Sequence, residues 1–186
     1  MNLNRDRLFA ALGKTYTEEA FDELCFEFGI ELDEVTSEKE MNSKFLGDAS
    51  AGAADADASD EVIYKIDIPA NRYDLLCHEG ISKALNVFMG RCPSPTFRLI
   101  EPANGAPRQK MTVKPETLLV RPFVVCAVLR GIKFDQARYD SFIDLQDKLH
   151  QNICRRRPLV AIGTHDLGKI RGPFTYEAKP PEDIEF

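Results

Sequence analysis

A strand, a tight polar turn and an amphipathic helix follow one another between Tyr64 and Gly90, and no other stretch restricts the fold as much. Tyr64, Ile66 and Ile68 alternate with Lys65 and Asp67, the period of a strand that buries one face. Pro69 removes the next ladder donor and ends the strand. Past the Ala70-Asn71-Arg72 turn, Leu76, Ile81, Ala84, Leu85 and Phe88 recur at helical spacing. They predict a helix from Leu75 to Met89, stopped by Gly90 and Pro93. Asn71 reads as a turn cap, Asp74 as a helix cap, and Arg72 as the partner of a local carboxylate. The rival reading turns Arg72 toward RNA or a partner subunit.

The flanking elements complete a small domain over residues 1–90. Arg5 to Leu12 reads as a helix ending at Gly13. Thr17 caps a second helix with Glu18 and Glu19 in its first turn, Phe21, Leu24, Cys25 and Phe28 as its apolar stripe and Gly29 as its stop. A strand from Ile30 to Val35 is expected to pair with Val62 to Ile68. Between them, the small acidic residues near 45–60 have too little apolar surface to offset ordering entropy and read as a disordered loop. The result is a helix-helix-hairpin-helix unit.

Proline and polar residues make 91–110 a linker, after which 111–186 forms a second segment of mixed type. A strand starts at Lys110 to Val113. Val120 to Ile132 is so continuously apolar that it predicts a strand buried on both faces. Phe142, Leu145, Leu149 and Ile153 predict a helix from Tyr139 to Cys154, followed by a strand from Leu159 to Ile162, a turn at Gly163 to Asp166 and an extended piece from Gly172. The fold class is therefore α+β.

Composition narrows the function classes. The 186 residues carry a net charge of −6, which argues against a protein that coats nucleic acid, so any RNA contact has to be local. None of the five cysteines forms a CxxC pair, and Cys25, Cys77 and Cys126 sit among apolar neighbours as buried free thiols do, which fits a reducing compartment. With neither a signal-peptide core nor an apolar run of ~20 residues in the sequence, the expected location is cytoplasmic.

Chemistry concentrates in two places. Arg155-Arg156-Arg157 lies just beyond a helix, with Lys148 a turn or two earlier. Several cations can there meet one phosphate backbone, or simply complement the negative helix end. Gly163-Thr164-His165-Asp166 invites a base-and-orienter reading with Cys154 or Thr164 as nucleophile. Adjacent residues on an extended chain point to opposite faces, however, which favours a substrate-polarising His165 or a structural turn over a triad. No carboxylate stands at a ligand interval from His78 or His150, and no metal site is expected.

Four blocks occur in an order that resembles the N-terminal part of phenylalanyl-tRNA synthetase beta subunits of the archaeal and eukaryotic cytosolic type. They are NRDRLFAALGKTYTEEAFDELCFEFGIELDEVTSEKE, IPANRYDLLC with its helix, RPFVVCAVLRGIKF and YDSFIDLQDKLHQNICRRRPLVAIGTHDL. The resemblance implies a small winged-helix-like N-terminal domain followed by the first part of an α+β editing domain of the B3/B4 type, so the chain is expected to be a fragment. It further implies a heterotetramer of two alpha and two beta chains in which alpha activates phenylalanine with ATP and Mg2+. Beta then supports assembly, contacts tRNA(Phe) and hydrolyses mischarged tyrosyl-tRNA(Phe). The segment alone is not expected to aminoacylate or to hold a cofactor. On that reading Gln146, Arg157 and His165 are editing-pocket candidates, and Lys148, Arg155, Arg156 and Arg72 are RNA-binding candidates. The alternative is a stand-alone module that binds RNA or protein; a lone hydrolase acting through His165 comes third.

Overall fold

The structure, a computed structural model, describes residues 1–37, 39–41, 60–102 and 105–185. The loop expected to be disordered falls, except for Asp60, outside them. Packing divides the chain into two units, Met1–Pro95 with Asp135–Ala161, and Thr96–Phe134 with Ile162–Phe186. The architecture is mixed α+β, as expected.

In the first unit, β1 (Asn2–Asn4) leads directly into α1 (Arg5–Leu12), and α2 (Glu18–Phe28) precedes β2 (Glu31–Ser37). The chain returns as β3 (Val62–Asp67) and α3 (His78–Phe88), and later contributes α4 (Gln136–Gln151). The sheet order is β1-β3-β2, with both pairs antiparallel. Strand β1 was not anticipated; three residues are too few to show a period. Between Leu32 and Glu34 the register of β2 shifts, so Asp33 is an extra residue opposite β3.

Caps set the helix boundaries. The Asn4 side chain accepts from Arg7 N at 2.8 Å and the Thr17 side chain from Ala20 N at 3.2 Å. Gly29, at φ 90°, closes α2 by donating its N–H to Cys25 O and Phe26 O. Inside, the Phe21 and Tyr64 rings stack at 5.1 Å and Phe9 meets Phe21 edge-on at 5.6 Å. Leu8, Ile66, Leu75, Ile81 and Leu85 are fully buried around them.

The helix expected over Leu75 to Met89 is broken at its start. Tyr73–Leu75 forms a 3-10 turn, and α3 begins only after Cys77, whose Sγ accepts from Gly80 N at 3.3 Å. Asp74 is therefore not its cap. Its backbone carbonyl instead lies against Gly80, where a Cβ would sit 2.1 Å from Asp74 O. This close approach lets the 3-10 turn stack onto α3 and carry Leu75, rather than Leu76, into the core.

Helix α4 also starts earlier than expected, because the Asp135 carboxylate caps it by accepting from Arg138 N at 2.8 Å. Its apolar stripe is only half-buried at Phe142, Leu145 and Leu149, and Ile153 is exposed. The strand expected from Leu159 to Ile162 does not form, since a turn over 152–158 precedes it and Leu159 is exposed without a ladder partner.

The second unit holds a parallel pair of β4 (Met111–Val113) and β5 (Phe174–Tyr176), extended by a bond from Lys114 N to Tyr176 O at 2.9 Å. A 3-10 turn, Pro115–Leu119, follows β4 and buries Thr117. The buried strand expected over Val120 to Ile132 is absent: Phe123 is 92% and Val125 97% exposed. No described segment pairs with it, and a strand needs a ladder partner before its side chains can be covered. Cys126 is correspondingly exposed rather than buried, whereas Cys154 is buried.

Gly80→Ala is expected to lower the free energy of unfolding in urea by about 1–3 kcal/mol, since the clash is with backbone that cannot swing away.

Candidate functional site

The cationic residues gather at the C-terminal end of α4. Helix geometry brings Lys148 to the last turn, where Asp144, one turn earlier, pairs with its ammonium. Asn152 Nδ2 donates to Lys148 O at 2.9 Å and covers one of the free terminal carbonyls. The chain then reverses through three successive left-handed residues, Arg155, Arg156 and Arg157, at φ 51°, 59° and 73°. Such a conformation costs roughly 1–2 kcal/mol per residue. It is held by Arg155 N donating to Asn152 O at 3.0 Å and Arg156 N donating to His150 O at 2.7 Å. All three side chains are exposed, and among the described residues Arg155 and Arg156 make no ion pair with a carboxylate.

Gln146, half-buried on the same helix, stands two residues from Lys148 and so does not share its face. The structure thus places Lys148, Arg155, Arg156 and Arg157 along one helix end but separates Gln146 from Lys148 around the helix. His165 belongs to the second unit and is exposed. Its neighbour Asp166 accepts from Gly168 N at 2.8 Å and Lys169 N bonds to the Asp166 carbonyl at 3.0 Å. Asp166 therefore closes a local turn, the structural arrangement weighed above against a triad.

Arg72 is bound elsewhere. Its Nε and Nη2 donate to the two carboxylate oxygens of Asp74 at 2.9 and 2.8 Å, and its guanidinium lies 5.5 Å over the Phe28 ring. The bonds to Asp74 raise the Arg72 pKa and hold the Asp74 carboxyl below the usual carboxylate range. That bidentate bond is the local pairing expected of it, and it clamps the 3-10 turn.

Sequence reasoning missed the cluster formed by Arg7, His78, Glu79 and Ser141. Glu79 accepts from Ser141 Oγ at 2.7 Å and from Arg7 Nη2 at 3.2 Å. Partial burial opposes its ionisation, yet the Ser141 hydroxyl, a backbone N–H and the charges of His78 and Arg7 together hold the carboxyl below its usual range. His78 is 7% exposed, and burial, reinforced by the Arg7 charge, pushes its imidazole pKa down; Glu79 and a bond to the Arg7 backbone oppose the shift. Its Nε2 has no partner among the described residues. No local pattern announces contacts between residues so far apart in the chain. Deep burial likewise raises the Cys25 thiol to about 12, with Asp22 adding to the effect, which makes it inert.

Among the described residues no three His, Cys, Asp or Glu side chains gather as metal ligands. No described helix is long and apolar enough to cross a membrane. The first unit is therefore a small α+β scaffold that offers cations at a helix end. Residues 1–91 match the family model described as the B1 domain of the Phe-tRNA synthetase beta subunit. The whole chain is 60% identical to the cytoplasmic phenylalanine-tRNA ligase beta subunit of Arabidopsis thaliana and 60% identical to the human beta subunit. It spans 30% and 31% of those relatives. A crystal structure of an N-terminal fragment of the phenylalanyl-tRNA synthetase beta subunit from Pyrococcus horikoshii superposes with a TM-score of 0.72 at 24% identity, over 95% of this chain and 44% of that one. Residues 1–91 thus form a domain of the B1 family, and the chain along its whole length is similar to the N-terminal portion of phenylalanyl-tRNA synthetase beta subunits.

Because the folded His78 value lies below 6.5, its contribution to stability is complete above pH 6.5 and is lost as pH falls through the folded value. Glu79 adds a second loss, of the same sign, below its ordinary 4.5. Urea titrations across pH are expected to show stability declining from pH 6.5 downward, and His78→Leu is expected to flatten the upper part of that decline while leaving the part below 4.5.

Proposed function

We propose that the chain works as the N-terminal portion of the beta subunit of a phenylalanine-tRNA ligase, in the cytoplasm, within a heterotetramer of two alpha and two beta chains that attaches phenylalanine to tRNA(Phe). The observation that carries this reading is the 60% identity to two eukaryotic beta subunits along the full length of the chain. Residues 1–90 serve as the B1-type, winged-helix-like domain, and residues 111–186 as the first part of a B3/B4-type editing domain. The exposed apolar run around Phe123 and Val125 supports the second assignment, because further chain laid against it would give that run the burial its composition calls for. Amino-acid activation with ATP and Mg2+ belongs to the alpha subunit, and these residues take no part in it.

The role of the beta chain in this reading is to contact tRNA and clear errors. Tyrosine differs from phenylalanine by one hydroxyl, and a hydrophobic pocket rejects such a near-isostere only ~10²-fold, so a second site that recognises the hydroxyl and hydrolyses the ester is needed. Gln146 and Arg157 supply polar lining for it and His165 polarises the ester. Arg155 and Arg156, exposed at a helix end, meet the phosphate backbone beside Lys148, which is half-buried and paired with Asp144. The bond between Arg72 and Asp74 favours a scaffold role for Arg72 over an RNA contact.

The test uses the complete beta subunit purified with its alpha partner. His165→Ala is expected to abolish deacylation of tyrosyl-tRNA(Phe) while the enzyme still aminoacylates; unchanged deacylation removes His165 from the site. Replacing Arg155 and Arg156 together by alanine is expected to reduce the slope of log affinity for tRNA against log salt by about 1–2. Failure of the chain to co-purify with an alpha subunit points instead to a stand-alone binding module.

A further inference from the structure

Helix α4 follows the linker in sequence but is fastened to the first domain, and the fastening of its N-terminal half is polar. None of its apolar side chains belongs to the core cluster that unites α1, α2, α3 and the sheet. A chain of three polar residues joins it there. Arg7, on α1, donates through Nη1 to the Ala137 carbonyl at 3.2 Å and through Nη2 to Glu79 at 3.2 Å. Glu79, in the first turn of α3, accepts from the Ser141 hydroxyl at 2.7 Å. One carboxylate thus holds a cation from one side and the incoming helix from the other.

We propose that Arg7, Glu79 and Ser141 form an electrostatic latch that holds the N-terminal half of α4 against the domain and opens without unfolding it. Three observations carry the inference. The contacts are exposed, so water replaces them at little cost. The core cluster of the domain draws no residue from α4. And the carboxylate stands where a negative group at position 141 would meet it directly, while a positive one would pair with it. The latch is a property of the domain itself and does not depend on what the basic helix end binds.

The experiment is amide hydrogen exchange, read by mass spectrometry on the whole chain, comparing Ser141→Asp with Ser141→Lys. In the aspartate variant, exchange over residues 136–145 is expected to be about three- to tenfold faster, the range one lost charge-assisted contact allows, with α1, α2 and β3 as protected as before. The lysine variant is expected to retain the protection, and Glu79→Ala to lose it as Ser141→Asp does. Equal exchange in the aspartate and lysine variants would overturn the latch, and so would loss of protection in α1, α2 and β3 together with α4.

Discussion

The inner face of β3 holds the first domain together. Tyr64 and Ile66 are buried between two antiparallel neighbours and beneath the helices, and the stacked Phe21 ring joins Tyr64 directly to α2. The dependence is real because α1, α2 and α3 span 8, 11 and 11 residues, short of the ~12–15 that give even marginal helicity in isolation. Each exists because its apolar stripe enters the shared core, α1 and α2 against the sheet and α3 against α1 and the 3-10 turn. At roughly 1.5–3 kcal/mol for each large apolar side chain fully buried, Phe21, Leu8, Ile66, Leu75, Ile81 and Leu85 are the largest individual contributions set against chain entropy.

Local chemistry was what made the fold readable. Thr17 with Glu18 and Glu19, the stop at Gly29 and the alternation from Tyr64 announced α2 and β3 nearly to the residue, since a cap or a period depends only on neighbours. The failures share a cause as well. Leu76 continued a helical period that a close approach between Asp74 and Gly80 interrupts, and Val120 to Ile132 carried the pattern of a strand that finds no ladder here. In both, a tertiary circumstance overrode a sound local signal. The candidate site divides the same way: the arginine run is visible in the sequence, while its left-handed backbone and the pairing of Arg72 with Asp74 emerge only from the folded chain.

Charge is distributed unevenly. Helix α2 carries Glu18, Glu19, Asp22, Glu23 and Glu27 with no cation of its own, whereas the three arginines stand together after α4. A polyanion approaching this chain is repelled by the first surface and attracted by the second, so a net charge of −6 does not by itself prevent local orientation of a polyanion. Orientation of this kind depends on distances comparable to the ~8 Å screening length at physiological salt.

The extra residue at Asp33 has a wider effect. Were Asp33 paired in the ladder, Glu34 would fall opposite Tyr64 on the core side of the sheet; because it is left out, Glu34 faces Lys65 and bonds its ammonium at 2.5 Å, while Val35 takes the place beside Tyr64. In most hairpins the turn dictates which residues oppose one another. Here the two strands carry their own alignment marks, a bulge and an ion pair, and the peptide joining Ser37 to Val62 is relieved of that duty. A change in its length or composition would leave the bulge and the ion pair to keep one strand from sliding past the other.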